Sequence, residues 1–196
     1  KNGASWTPAD GPTADTTLIY FLEHPSRSAA DAAWAAFRND PEWQAVARKS
    51  QEDHGKILAK APDATLMSAV DYSAAIGPVD PEKVYELRTY AANPGKLEAL
   101  HARFRDHTDK LFRKHGMQVL GYWTPDDEPK SQTTLIYVVQ HESRAAARES
   151  WKAFGSDPDW QSVRAASERD GAILAVRPEV TYLRVVDYSP RPRQAE

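Results

Sequence analysis

At 196 residues, 41% apolar and 27% charged, the chain has enough apolar content to build a packed core and too much for a disordered polymer. Its net charge of −3, with Lys and Arg interspersed among Asp and Glu, offers no basic stripe, so nucleic acid is not an expected partner. Cysteine is absent, which removes disulfides, thiolate nucleophiles and Cys-ligated metals; the longest strongly apolar run, Leu18 to Leu22, is far short of the roughly 20 residues of a membrane span.

Taken in order, the chain opens on Lys1 to Trp6, which lacks the apolar stretch of a signal peptide. Trp6-Thr7-Pro8 and Thr16-Thr17-Leu18-Ile19-Tyr20 then read as strand material. After His24 comes a helical stretch with Trp34 and Phe37, and Asp40-Pro41 starts a second helix. Asp accepts from free N–H groups at the N-cap, and Pro is preorganised for the first turn. The stretch ends near Val70-Asp71-Tyr72-Ser73, and residues 74–81, with Gly77-Pro78 and Asp80-Pro81, read as a linker.

Val84 to Tyr90 alternates as a strand, with Glu86, Arg88 and Tyr90 on one face and Tyr85 and Leu87 on the other. After the turn signal Asn93-Pro94-Gly95, the spacing of Leu97, Leu100, Phe104, His107 and Leu111 predicts an amphipathic helix, with Gly116 at a left-handed cap. Val119 to Thr124 and Thr133 to His141 read as a hairpin. Ser143 caps a helix, Asp157-Pro158 starts its partner, and Glu179 to Tyr188 is the closing strand.

The chain repeats itself. Trp6-Thr7-Pro8 recurs as Trp123-Thr124-Pro125, and Thr16 to Tyr20 as Thr133 to Tyr137, at one constant spacing. The register continues through His24 and His141, Trp34 and Trp151, Phe37 and Phe154, Asp40-Pro41 and Asp157-Pro158, Trp43 and Trp160, and Val46 and Val163. One residue is then dropped, so that Ile57-Leu58 pairs with Ile173-Leu174 and Val70 to Ser73 with Val186 to Ser189. The second copy reads strand, helix, strand, strand, paired helix, strand, the ferredoxin-like order. The first lacks the opening strand and helix. The expected architecture is therefore α+β: an N-terminally truncated module over 1–73, a linker over 74–81, a complete module over 82–189 and a tail over 190–196.

Val84-Tyr85-Glu86-Leu87-Arg88-Thr89-Tyr90, Pro94-Gly95-Lys96, Lys114-His115-Gly116, Gly121-Tyr122-Trp123 and Asp157-Pro158-Asp159-Trp160 together resemble the NIPSNAP family. The resemblance covers the second copy nearly end to end and the first from Trp6 to Ser73. It implies a dimeric α/β-barrel in which two ferredoxin-like modules pair their sheets, here as a pseudo-dimer within one chain. Family members are mostly of undefined activity. The animal ones are associated with mitochondria and with vesicle or mitophagy signalling, and barrel relatives include cofactor-independent monooxygenases and haem enzymes. Fold kinship licenses none of those activities.

In such a barrel the strand face turned away from the helices lines the lumen, and Glu86, Arg88 and Tyr90 are placed there, either as a pocket or as an internal ion pair that fixes packing. His141, repeated as His24, is either a general acid–base or metal-binding group or a strand-end histidine bonded to a loop. Trp6 and Trp123 cover a barrel mouth or join the core; Arg184 joins Arg88 in favouring an anion; His107 is a core histidine. The catalytic candidates are Glu86, Arg88 and His141, and the ligand-binding candidates Tyr90, Trp123 and Arg184. No metal spacing appears and no cofactor is expected. The leading expectation is a small-molecule barrel supporting cofactor-independent proton transfer or oxygenation; the alternative is a non-enzymatic interaction scaffold. A homo-oligomer or a missing N-terminal segment is expected to complete the barrel. The expected compartment is the cytoplasm, or the mitochondrion should a eukaryotic targeting segment precede Lys1.

Overall fold

The computed structural model describes residues 2–190, and the tail assigned to 190–196 lies outside the described residues from 191 on. The fold is α+β, and the chain divides into two compact units. One is Leu22–Leu66; the other joins Asn2–Phe21 to the chain from Met67 onward.

The first unit holds two helices, α1 (Arg27–Asn39) and α2 (Pro41–His54). Ser26 caps α1 by accepting from the N–H of Ala29, and Asp40 caps α2 by accepting from Glu42 and Trp43, with Pro41 at the first turn. These are the caps the sequence predicts.

The second unit is built on strands β1 (Asn2–Pro8), β2 (Ile19–Leu22), β3 (Met67–Ala69), β4 (Val84–Ala91), β5 (Gln118–Pro125), β6 (Thr134–His141) and β7 (Glu179–Val185). They form one sheet in the order β2-β1-β7-β4-β6-β5-β3. Its central four strands, β7-β4-β6-β5, have the ferredoxin-like order. On them pack α3 (Leu97–Arg103), α4 (Asp109–Lys114), α5 (Arg144–Ser156) and α6 (Pro158–Ser167). Gly116 takes φ 74° after α4, where its N–H reaches the carbonyl of Arg113 and that of Met117 the carbonyl of Phe112, so the predicted left-handed cap is in place.

The two sequence copies exchange strands reciprocally. Trp6, Thr7 and Pro8 of β1 stand opposite Val185, Arg184 and Leu183 of β7; their repeat counterparts Trp123, Thr124 and Pro125 of β5 stand opposite Ala69, Ser68 and Met67 of β3. Both ladders therefore use the same register. Equivalent residues pair with equivalent residues, because a slip of one residue would turn every side chain to the other face.

The predicted helix over Leu97 to Leu111 is interrupted by a π-helical turn, Phe104–Thr108, between α3 and α4. The extra residue breaks the period of three and four. Leu100, Phe104, Leu111 and Phe112 still face the core, but Thr108 takes the next buried place, donating from Oγ1 to the carbonyl of Arg103. His107 is exposed rather than in the core. Among the described residues no helix is long and apolar enough to cross a membrane.

Each face of the sheet carries its own core. Under the helices lie Leu100, Phe104, Phe112, Tyr122, Tyr137 and Phe154. The opposite face holds Trp6, Tyr85, Val138 and Leu183, closed over by Phe21, Ile76, Val79 and Trp123. Trp6 meets Phe21 at 5.6 Å and Tyr85 at 5.9 Å between ring centroids, so this face is filled by side chains. Trp6→Ala is expected to destabilise by about 3–5 kcal/mol through the cavity it leaves, and Trp123→Ala, at a half-buried site, by clearly less. Urea denaturation checks both; near-equal, small losses would show that the face is not a packed core.

Candidate functional site

Glu86, Arg88, Tyr90 and His141 do come together, on the helix-covered face and not on the face turned away from the helices. Register sets this. β4 pairs with β6 so that Glu86 stands opposite Val139, Arg88 opposite Tyr137 and Val84 opposite His141. Tyr137 and Val139 belong to the core beneath the helices, so their β4 neighbours point there too. Tyr85, which the sequence sets on the other side, is part of the opposite core, with Leu87 packed against it.

The cluster is organised by Glu86, which is fully buried. Arg88 Nη1 donates to its Oε2 at 2.6 Å, and Trp151 Nε1, from α5, donates to its Oε1 at 2.7 Å. His141 Nε2 is 3.1 Å from Oε1, yet neither ring nitrogen of His141 makes a well-directed hydrogen bond. The guanidinium of Arg88 lies over the Trp151 ring, 4.0 Å from its centroid, a cation–π contact that lets a charged group pass beneath a helix. Trp151 thus meets both charges, accepting one on its face and donating to the other from its edge.

On the far side of β4, Tyr182 of β7 stands opposite Glu86. Burial and the nearby Glu86 carboxylate push its phenol up to about 12. Arg144 covers the Tyr182 ring at 3.3 Å and pairs with Asp10 at 2.7 Å.

The other candidates lie elsewhere. Trp123 packs on the opposite core, 5.2 Å from Phe21 between centroids. Arg184 is exposed on β7 and does not join Arg88 in any enclosed space. His101, not singled out from the sequence, is buried: Tyr72 Oη is 2.9 Å from its Nδ1 and Thr124 Oγ1 3.3 Å from its Nε2, and burial lowers its pKa. Among the described residues no group of three His, Asp or Glu side chains converges as a metal site.

Open space lies beside the cluster instead. A cleft of about 340 Å³ is lined by Tyr90, Phe104, Trp160 and Leu174, with Arg103 and Arg177 among its polar groups. Arg103 is buried, donates from Nη1 to Ser167 at 3.3 Å and Glu168 at 3.0 Å, and has an Nε without an acceptor. Arg103 was not among the residues singled out from the sequence, where only the apolar positions of this helix and His107 were read. Tyr90 is the candidate shared by cluster and cleft.

Burial pushes the Glu86 carboxyl up, but His141, Trp151 and Arg88 facing it outweigh burial and hold it at about 2, against an ordinary 4.5. A depressed carboxyl contributes stability that is complete above its unfolded pKa and is lost as pH falls through the folded one, here between pH 4.5 and 2. The shift corresponds to roughly 3 kcal/mol at neutral pH. Glu86→Gln is therefore expected to lose about that much at pH 7 and to show a flatter stability profile between pH 4.5 and 2 than the parent. Urea titrations across this range check it. A parent no more acid-sensitive than the variant would mean that Glu86 is not the titrating group.

The chain is similar to several known proteins. The NIPSNAP family model matches residues 85–190. Among solved structures, a NIPSNAP family protein of unknown function from Agrobacterium tumefaciens is 20% identical, with a TM-score of 0.48 over 58% of this chain and 96% of that one. An uncharacterised NIPSNAP-like domain protein from Burkholderia xenovorans is 18% identical, with a TM-score of 0.49 over 57% of this chain and 91% of that one. An anthrone oxidase-like protein is 15% identical but aligns with 94% of this chain and 76% of its own, at a TM-score of 0.51. With the family model covering more than half of its length, from the Glu86 strand through β7, this chain belongs to the NIPSNAP family.

Proposed function

We propose that the chain is a small-molecule-binding protein whose ligand site is the cleft between β4, the α3–α4 helix and α6, and that its ligand is an apolar molecule carrying an acidic group. The observation that carries this reading is the lining itself. Tyr90, Phe104, Trp160 and Leu174 offer apolar surface, while Arg103, Arg164 and Arg177 outnumber Glu168. A space of about 340 Å³ lies in the range of ligand pockets, which pair apolar walls with a few placed polar groups.

Proton transfer or oxygenation through Glu86, Arg88 and His141 has weaker support. Glu86 is held by Arg88 and Trp151, and the face expected to form a lumen is filled, while Arg88 Nε and both ring nitrogens of His141 have no hydrogen-bond partner. The anthrone oxidase-like structure lends the fold and no chemistry. The second reading, a non-enzymatic interaction module, is favoured by one observation: Phe37, Trp43 and Val46 are exposed in the Leu22–Leu66 unit.

Aryl and medium-chain carboxylic acids are expected to raise the melting temperature by several degrees when present at a hundredfold their Kd, a gain of about 2.7 kcal/mol. Trp160→Ala should abolish the gain. Arg177→Gln, at an exposed position, should weaken binding of the acids and leave their neutral amides unaffected. Acids that produce no shift, or bind Trp160→Ala equally well, would overturn the reading.

A further inference from the structure

The exposed apolar residues of the Leu22–Leu66 unit have counterparts whose surroundings are known. Phe37 is 42% exposed and Ile57 63%, whereas their repeat counterparts Phe154 and Ile173 are 6% and 0% exposed. Trp43 and Leu58 are likewise exposed, and their counterparts Trp160 and Leu174 are packed against the helix-side core. The sequence of the face is the same in both copies, and what differs is its cover.

In the second copy the cover is the strand and helix of residues 84–114. Phe154 packs edge-on against Phe112 of α4 at 4.9 Å between centroids. Ala92, just past β4, bridges Leu174, and the N–H of Asn93 donates to the carbonyl of Ile173 at 2.8 Å. Leu100 and Phe104 complete the same core.

The sheet points independently to the same neighbour. β6 and β7 both flank β4. Their repeat counterparts, β2 and β3, are the two end strands of the sheet. Each therefore presents an edge of unpaired backbone groups, which proteins ordinarily cover.

We propose that the apolar face of α1 and α2 is the seat of a strand–helix segment with the chemistry of Val84–Lys114. Its strand alternates aromatic and charged residues, and its helix offers large apolar anchors at the places of Leu100, Phe104 and Phe112. Exposed apolar patches of this kind mark a surface that another element covers, and the repeat identifies the element. The proposal goes beyond the ligand cleft and does not depend on it.

The test compares the 196-residue chain with the same chain carrying a second copy of its own residues 84–117 ahead of Lys1. The short chain is expected to bind a hydrophobic dye strongly and to melt at nearly the same temperature with Phe37→Ala. In the extended chain dye fluorescence should fall several-fold, and Phe37→Ala should lower the melting temperature as Phe154→Ala does in both. Should the extended chain fail to fold, a peptide of residues 84–117 added to the short chain should displace the dye. Dye binding unchanged by fusion and by peptide would overturn the proposal. So would light scattering showing a dimer of the short chain that excludes the dye and dissociates with Phe37→Asp, since a second copy would then be the occupant.

Discussion

A strand at the edge of a sheet carries a row of N–H and C=O groups that must find partners, and the rest of this molecule is arranged around how that demand is met. The four strands β7-β4-β6-β5 have two such edges. Both are satisfied by the other sequence copy, β1 on β7 and β3 on β5, in one shared register. That register sets which residues of the first copy face the opposite core, so Trp6 and Phe21 fill the space over Tyr85. The opposite face is thus filled, while the cleft beside Tyr90 lies on the helix side.

The Glu86 cluster illustrates how charge is carried through a core. A carboxylate and a guanidinium two residues apart on a strand necessarily share a face, and a buried pair that loses either member leaves an uncompensated charge. Trp151 resolves the problem with two parts of one ring system, the indole N–H toward Glu86 and the π face toward Arg88. The cluster is thereby a fixed joint between β4 and α5. Arg88 Nε and both ring nitrogens of His141 within the cluster, and Arg103 Nε at the cleft beside it, are buried without a hydrogen-bond partner.

Much of this was legible in the residues. Asp40-Pro41 and Asp157-Pro158 mark helix starts because their side chains satisfy free N–H groups, and both cap as read. Repeat spacing located the strands, and the grouping of Glu86, Arg88, Tyr90 and His141 followed from strand parity. Which way that face points did not follow. Alternation separates two faces but does not say which one a helix covers, and a face with Glu and Arg looks like the wetter of the two. The indole N–H and ring of Trp151, a residue that reads as ordinary core, supply the partners for that charged face beneath the helix. His107 was misplaced for a different reason, since periodicity assumes a constant turn and Phe104–Thr108 does not keep it.

That π-helical turn has a consequence for comparing this protein with its relatives. It works as a phase change within one helix: positions before Phe104 and positions after Thr108 follow separate frames, one residue out of step. A relative whose helix runs through this stretch with an uninterrupted α-helical period aligns letter for letter with His107 while offering a different side of its helix to the sheet. Correspondence of residues between family members is therefore a matter of helical phase here, and a single-residue gap in an alignment at Phe104–Thr108 carries more structural meaning than many substitutions elsewhere in the chain.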